Sequence, residues 1–191
     1  MGRIVPNIRE RLSVENVSTF AALSPDGTRI VTATEGAAAR IWDAASGAPL
    51  ATLAGHEAQV NFAAFSPDGI TATGDRTAIT ASPDHSARVW DALSGQETAA
   101  LRGHEAQVNF AAFSPDGKLV VTASADRTAR IWDAVSGRDL AVLRGHAGFV
   151  NTAVFSPDGT RIVTASNDDT QEFGTWPPAN RSRFLRDIRT G

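Results

Sequence analysis

Cysteine and tyrosine are absent from this sequence of 191 residues. Without cysteine, the chain has no disulfide framework, no zinc–thiolate site and no thiol nucleophile. Long apolar runs are also missing, and the first residues lack the apolar core of a secretory signal. We therefore expect a cytoplasmic protein that has no membrane partner.

An excess of basic charge is lacking too. The chain has 18 Lys and Arg residues against 21 Asp and Glu, a formal net charge of -3. Nucleic-acid-binding domains normally carry a basic patch, and a phosphate-binding loop needs a GxxxxGK[ST] segment that is not present here. We expect neither a nucleic-acid partner nor a cofactor. The 42% of hydrophobic residues instead predicts an ordinary globular domain.

Internal repetition is the dominant feature of the chain. Three short motifs recur in the same order, about every 42 to 48 residues. Ser-Pro-Asp-Gly begins at Ser24, Ser66, Ser114 and Ser156. Gly-His stands at Gly55, Gly103 and Gly145, and Trp-Asp stands at Trp42, Trp90 and Trp132. Motifs that share one phase indicate one structural unit per repeat.

Each repeat is predicted to form four short strands. In the third repeat, the apolar run 108–113 is followed by a Pro-Asp-Gly turn. The β-branched run 118–124 is followed by a turn at Asp126 and Arg127. The segments 128–132 and 139–143 follow, separated by a Ser-Gly turn, and helical periodicity is nowhere sustained. So small a sheet cannot bury both faces alone, so the repeats must stack on one another.

The Gly-His and Trp-Asp pairs resemble those of the WD40 family over about residues 14–170. The resemblance implies an all-β, WD40-type β-propeller of about three and a half to four blades, each a four-stranded antiparallel sheet, with an incomplete ring. We place the repeats at 14–54, 55–102, 103–144 and, in part, 145–170. Residues 1–13 are an N-terminal segment and candidate closing strand, and 171–191 are a divergent basic tail.

Two sets of polar and indole side chains occupy matching positions in the second and third repeats. They are His56, Ser82, Asp84 and Trp90, and His104, Ser124, Asp126 and Trp132. The resemblance implies that each set is a buried hydrogen-bond chain tying the start of a blade to its central strands. This role suits the residues, because a buried imidazole needs partners for both nitrogens and an indole N–H needs an acceptor.

Catalysis and metal binding are disfavoured by the same repetition. A Ser-His-Asp site is normally built once, whereas these residues recur, so we do not expect an enzyme. The histidines of the Gly-His pairs occur one per repeat and should be spread around a ring, so we expect no metal site.

Loop residues are the candidates for binding a partner. They follow Gly-His or precede the tryptophan strand: Glu57, Gln59, Asn61, Glu105, Gln107, Asn109, Arg127 and Asp169. Phe62 and Phe110 also match Phe20, while the fourth repeat has Thr152 at this position. These phenylalanines either pack between blades, which we favour, or anchor a partner near the channel.

The repeat pattern breaks at three places. The first repeat lacks Gly-His and has Gly36 where later repeats have aspartate, so its hydrogen-bond chain should be missing. The second contains a local duplication, whose second copy is predicted to enter the sheet and leave 70–79 as a longer loop or bulged strand. In the fourth, the expected tryptophan falls at Gly174, and Trp176 is a candidate to dock in the vacant strand.

Incomplete rings leave open edges, which invite association. Three arrangements follow as hypotheses. Residues 3–12 could supply the missing strand of a four-bladed monomer, or two chains could pair as half-rings. In the third, the chain is the remnant of a longer array. Among functions, we favour a non-catalytic protein–protein interaction scaffold that presents a propeller face to a protein or peptide. The alternative is a truncated or degenerate array without independent activity.

Overall fold

Fifteen β-strands lie in the part of the chain that the structure describes. The computed structural model describes residues 18–67, 77–168 and 171–175. Within these ranges the strands form four antiparallel sheets, three with four strands and the last with three. Each sheet is built from consecutive strands in sequence order, as short hairpins allow. The described residues form no closed ring, which confirms an all-β propeller array that is incomplete.

The four sheets correspond to the four repeats and are named blades 1 to 4. Blade 1 contains β1 (Ser18–Leu23), β2 (Arg29–Thr34), β3 (Ala38–Asp43) and β4 (Pro49–Ala54). Blade 2 contains β5 (Phe62–Phe65), β6 (Thr77–Ala81), β7 (Ser86–Asp91) and β8 (Glu97–Arg102). Blade 3 contains β9 (Val108–Phe113), β10 (Leu119–Ser124), β11 (Ala129–Asp133) and β12 (Asp139–Leu143). Blade 4 contains β13 (Val150–Phe155), β14 (Arg161–Ser166) and β15 (Gln171–Thr175).

The strands of blade 3 lie within one residue of the predicted bounds. Alternating or β-branched apolar runs form the strands, and the Pro-Asp-Gly and Ser-Gly segments form the turns between them. Gly117 and Gly137 have φ values of 68° in these turns, a backbone conformation that glycine adopts without steric cost.

Stacking of neighbouring blades creates the hydrophobic core. Strands β6 and β10 are buried on both faces, because each lies between two neighbouring sheets. Trp90 packs with Ile41 and Leu53 of blade 1, and Trp132 packs with residues of blade 2 in the same way. Each tryptophan therefore lies on the face of its blade that meets the preceding blade.

The duplicated segment of blade 2 resolves as the sequence predicts, with one correction. Ala81 pairs with Ala87, in the register that joins Ala123 to Ala129 in blade 3, so the second copy occupies the sheet. Residues 77–79 belong to β6, which pairs without a bulge on either side. The interpretation of 70–79 as a loop or bulged strand is wrong for these three residues, and 70–76 lie outside the described ranges.

Blade 4 continues past residue 170, where we placed the end of the repeat. Strand β15 pairs with β14 and joins Gly174 to Ile162, just as Trp132 pairs with Val120 in blade 3. Gly174 therefore stands at the tryptophan position, as predicted. The candidate closing strand within 1–13, the candidate docking residue Trp176 and the rest of the tail lie outside the described residues.

Candidate binding surface

Each blade has two ends that differ in chemistry. At one end lie the Ser-Pro-Asp-Gly turns, in which Ser114 Oγ donates a hydrogen bond to Asp116 Oδ1 over 2.6 Å. The turn after Trp-Asp lies beside them, because the Ala134 amide donates to the Lys118 carbonyl oxygen over 2.9 Å. This end is therefore closed by short, internally hydrogen-bonded turns.

The other end, which we call the His–Asp end, holds the Gly-His segment and the turn before the tryptophan strand. In blade 3, Asp126 Oδ2 accepts hydrogen bonds from His104 Nδ1 over 2.7 Å and from the Glu105 amide over 3.0 Å. Blade 2 repeats the arrangement with His56 and Asp84 at 2.7 Å. Aspartate thus ties the loop that enters a blade to a turn of that same blade.

A threonine joins the histidine to the tryptophan in each complete set. In blade 3, Thr122 Oγ1 lies 2.7 Å from His104 Nε2 and accepts from Trp132 Nε1 over 2.9 Å. In blade 2, Thr80 Oγ1 makes the same two bonds. The repeated motifs do not single out these threonines, although one stands ten residues before each Trp of the Trp-Asp pairs.

The predicted members Ser82 and Ser124 lie beside this chain and do not connect the histidine to the tryptophan. Ser124 Oγ donates to the Ala106 carbonyl oxygen over 3.2 Å and accepts from the Asp126 amide over 3.1 Å. Ser82 makes the corresponding bonds in blade 2. The two serines therefore fasten the turn, because they point toward the backbone of the Gly-His loop.

The protonation state of the set follows from its environment. Burial lowers the pKa of His104, so its ring is neutral, and a neutral ring has one donor and one acceptor nitrogen. Burial raises the pKa of Asp126, but hydrogen bonds from Thr128, His104 and the Glu105 amide outweigh it and lower the pKa to about 2. The carboxylate therefore accepts from Nδ1–H, Nε2 accepts from the Thr122 hydroxyl, and the Thr122 oxygen accepts from the indole. Every one of these polar groups is used internally.

The two outer blades carry incomplete versions of the set. Blade 1 has no histidine, yet Trp42 Nε1 donates to Thr32 Oγ1 over 2.9 Å, so the prediction of a wholly missing chain is wrong for this bond. In blade 4, His146 lies 2.8 Å from Thr164 Oγ1 and 3.2 Å from Asp168 Oδ2. Gly174 supplies no indole to it.

Close packing explains why glycine precedes histidine in the Gly-His pair. A Cβ on Gly55 would stand 2.8 Å from Arg88 Nη1 and 3.3 Å from the Trp90 ring. Arg88 is buried there and forms an ion pair with Glu97 on the outer strand. Gly103 meets Arg130, which pairs with Asp139 over 2.7 Å, in the same way. The repeated motifs do not single out these arginines.

The predicted partner contacts differ in their exposure. Four are exposed, Glu57, Glu105, Gln107 and Arg127, while Gln59, Asn61, Asn109 and Phe110 are half-buried and Phe62 is buried. Asp169 lies outside the described residues. Asn109 Nδ2 donates to the Val150 carbonyl oxygen over 2.9 Å, so its amide helps to join blades 3 and 4.

The three phenylalanines pack against one another across blades. The ring centroid of Phe62 lies 4.4 Å from that of Phe20 and 4.3 Å from that of Phe110. Contacts at this distance between tilted rings stabilise a core. The structure thus favours packing between blades over partner anchoring, and the stack ends at the exposed Thr152.

Exposed residues of adjacent blades form one surface at the His–Asp end. The Val60 amide donates to the Gly36 carbonyl oxygen of blade 1, and the Val108 amide donates to that of Ser82 in blade 2. Each entering loop is therefore bonded to a turn of the preceding blade. His85, which is not among the predicted contacts, is exposed at the position of Arg127. We call this the His–Asp surface, and its members are Glu57, His85, Glu105, Gln107 and Arg127.

Two further properties concern only the described part of the chain. Over 18–67, 77–168 and 171–175, no three His, Cys, Asp or Glu side chains gather as a metal ion would require. In the same ranges, no helix has the length and apolar character of a membrane span.

Sheets of consecutive antiparallel strands, stacked face to face and fastened at one end, define a propeller-type repeat array. The family described as WD domain, G-beta repeat matches residues 47–91, 95–133 and 137–170, more than half of the chain. The chain belongs to the WD40-repeat family. Repeats of this family generally mediate protein–protein interactions, and the family is typically a non-catalytic scaffold. No curated protein matches the chain.

Proposed function

We propose that this protein is a non-catalytic scaffold that presents the His–Asp surface to a protein or peptide partner. The observation that carries the proposal is the contrast between His85 and Arg127. Their backbones have nearly the same φ, 67° and 70°, yet their exposed side chains differ in chemistry. The fold holds the backbone constant while the surface group varies, which is how a scaffold acquires specificity.

The chemistry of the surface suits a polypeptide. Glu57 and Glu105 offer acceptors, Gln107 offers both donors and acceptors, and Arg127 offers donors with a positive charge. Polar residues of this kind form the solvent-accessible rim of protein–protein interfaces, and arginine is enriched in such interfaces. Because hydrogen bonds hold the loops beneath it, little conformational entropy is lost when a partner binds.

Catalysis and cofactors are not part of the proposal. The Ser and His side chains that resemble a hydrolase set are buried, the Asp side chains are half-buried, and all are already bonded to one another, to threonine hydroxyls or to backbone groups. The net charge of -3 gives nucleic acid no general attraction. A cytoplasmic location remains a proposal from the sequence, and cell fractionation tests it.

Homo-oligomerisation that completes the ring is a second element of the proposal. Both ends of the array leave a blade face without a neighbour in the described residues, and β15 is the last strand of a three-stranded sheet. A second copy of the chain is therefore proposed as a partner in addition to a foreign polypeptide.

A second candidate function is a truncated or degenerate array without independent activity. The observation that favours it is Gly174, which replaces the tryptophan in a blade that has three described strands. A continuation of the repeat in a shifted reading frame just downstream of the coding sequence would support this candidate. An unrelated downstream sequence would count against it.

The proposed binding function is tested by comparing three forms of the full chain in affinity capture from source lysate. The surface variant is Glu57→Ala with Glu105→Ala, and the control is Gln96→Ala with Arg138→Ala, which removes exposed side chains at the opposite end. We expect polypeptides retained by the wild type and the control to be lost with the surface variant, at unchanged melting temperature. The same capture by all three forms would contradict the proposal.

A further inference from the structure

We infer that the two open ends of the array bind each other head to tail, so that two copies of the chain close one ring of eight blades. This head-to-tail contact is the one through which a second copy of the chain, proposed above as a partner, would bind. It does not depend on the binding function of the His–Asp surface. Two copies of four blades stay within the four to eight blades that propellers commonly have.

The innermost strand at each end of the array, β1 in blade 1 and β13 in blade 4, carries exposed apolar side chains. Leu23 of β1 is 61% exposed, whereas Phe65 and Phe113, at the same position of blades 2 and 3, are 8% and 7% exposed. Ala21 is exposed as well, although its counterparts Ala63 and Ala111 are fully buried. Ile30 and Trp42 on this sheet are already buried, so the open part of the face runs along β1.

Blade 4 exposes the opposite face. Val154 is 41% exposed and Thr152 is exposed, while Ala153 between them is buried against blade 3. Val163 and Ala165 on β14 are half-buried, whereas their counterparts Val121 and Ala123 in blade 3 are fully buried. In blade 4 the face that blades 1 to 3 turn toward their successors is therefore only partly covered by described residues, and its most open part lies along β13.

The interior junctions show which residues meet when such faces pack. At the junction of blades 1 and 2, Phe65 lies in a hydrophobic cluster with Ala22. At the next junction, Phe113 lies with Ala64, and the third junction contains both Phe155 and Ala112. One phenylalanine and one alanine thus recur at each interior junction.

At the open ends, the first of these positions has a smaller side chain and the second has a larger one. Leu23 replaces the phenylalanine and Val154 replaces the alanine. Phenylalanine with alanine contributes about eight side-chain carbons and leucine with valine about seven, a nearly volume-conserving exchange of the kind that packed cores tolerate. The smaller residue at one end therefore fits the larger residue at the other.

The size match between Leu23 and Val154 favours a second copy of the chain as the partner that covers the open ends. Within one chain the described residues form no closed ring, so Leu23 and Val154 of the same copy remain exposed. Thr152 would meet Phe20 at the new junction, which lacks the stacked phenylalanines of the interior. The junction between copies should therefore be weaker than the junctions of blade 2 with blades 1 and 3, where the phenylalanines stack.

Disulfide cross-linking tests the contact directly, because the natural chain has no cysteine. A mixture of Leu23→Cys and Val154→Cys chains should form a disulfide-linked pair under oxidation. Neither variant alone should do so, and a mixture of Leu23→Cys with Val135→Cys, exposed on a turn of blade 3, is the control. Homotypic Leu23→Cys pairs, or no pair in the first mixture, would overturn the head-to-tail contact.

Light scattering on the full chain tests the stoichiometry. The wild type and Val135→Asp should have twice the mass of one chain, and Leu23→Asp or Val154→Asp should have the mass of one. All three substituted residues are exposed in the single copy, so folding should persist, which circular dichroism checks. A wild type of single mass would overturn the inference, and larger assemblies with the same cross-link would overturn the two-copy ring. Neither result would bear on partner capture by the His–Asp surface.

Discussion

His104 and Trp132 bind the same atom, the Oγ1 of Thr122, at distances of 2.7 and 2.9 Å. The two side chains come from the entering loop and the third strand of blade 3, and the threonine comes from the second strand. One hydroxyl group therefore joins three elements of the sheet. Because the same arrangement is built on Thr80 in blade 2, the recurring polar residues stabilise the fold and the exposed loops remain free for recognition.

The phenylalanine stack predicts a large effect at Phe62. Phe62→Ala removes a buried ring that contacts Phe20 and Phe110, and such truncations cost about 3–5 kcal/mol of the free energy of unfolding. Phe149→Ala is the control, because Phe149 is 52% exposed, and a change within about 0.5 kcal/mol is expected. Urea unfolding measures both. Equal stability of the two variants would show that Phe62 is a contact residue and not core.

The close approach at Gly55 predicts that adding a single methyl group there lowers the stability of the fold. Gly55→Ala places a carbon 2.8 Å from Arg88 Nη1, so the buried Arg88 guanidinium and its ion pair with the exposed Glu97 must shift, at a cost of about 1–3 kcal/mol. Gly36→Ala is the control, because its new carbon would meet only Thr34 Oγ1 at 3.5 Å. Thermal unfolding compares the two. A melting temperature that falls equally in both would contradict the steric explanation.

Much of this fold follows from the sequence, since turn residues and alternating strands repeat in one phase. The strands of blade 3 and the position of Gly174 could be predicted in this way. Thr122 could not, because threonine is common in strands and only its contact with a histidine shows its role. Thr77 to Ile79 were misassigned because two similar segments competed for one strand, and pairing with β7 decides between them.

The incomplete sets in blades 1 and 4 predict uneven stability along the array. Blade 1 lacks the histidine and blade 4 lacks the tryptophan, whereas blades 2 and 3 have both. One missing hydrogen bond of about 1 kcal/mol corresponds to roughly fivefold faster amide exchange through local opening. Hydrogen exchange with mass spectrometry should therefore show less protection in β2 and β14 than in β6 and β10. Equal protection in all four strands would contradict the prediction.

The buried histidines predict loss of stability in acid. Burial lowers the pKa of His56 and His104 below the ordinary value of 6.5 in the folded state. The unfolded chain therefore takes up protons first, and the contribution present above pH 6.5 is lost as the pH falls below it. Asp84 and Asp126, with pKa lowered from 3.8 to about 2, add a second loss below pH 3.8.

Urea midpoints measured across this pH range check the acid prediction. The midpoint should fall as the pH drops below 6.5 and fall further below 3.8. His104→Gln has no imidazole to titrate at this position, so it should be less stable at neutral pH and lose less on acidification. A wild-type midpoint that does not change across the range would contradict the proposed protonation states.

The free energy of unfolding of Thr122→Val relative to Thr122→Ser tests the central claim most directly. Valine keeps the shape of threonine but leaves the buried His104 Nε2 and Trp132 Nε1 without their shared partner, at about 1–3 kcal/mol for each unsatisfied group. Serine keeps the hydroxyl, so its loss should be much smaller. If the valine variant is as stable as the serine variant, the histidine, threonine and tryptophan do not fasten the sheet.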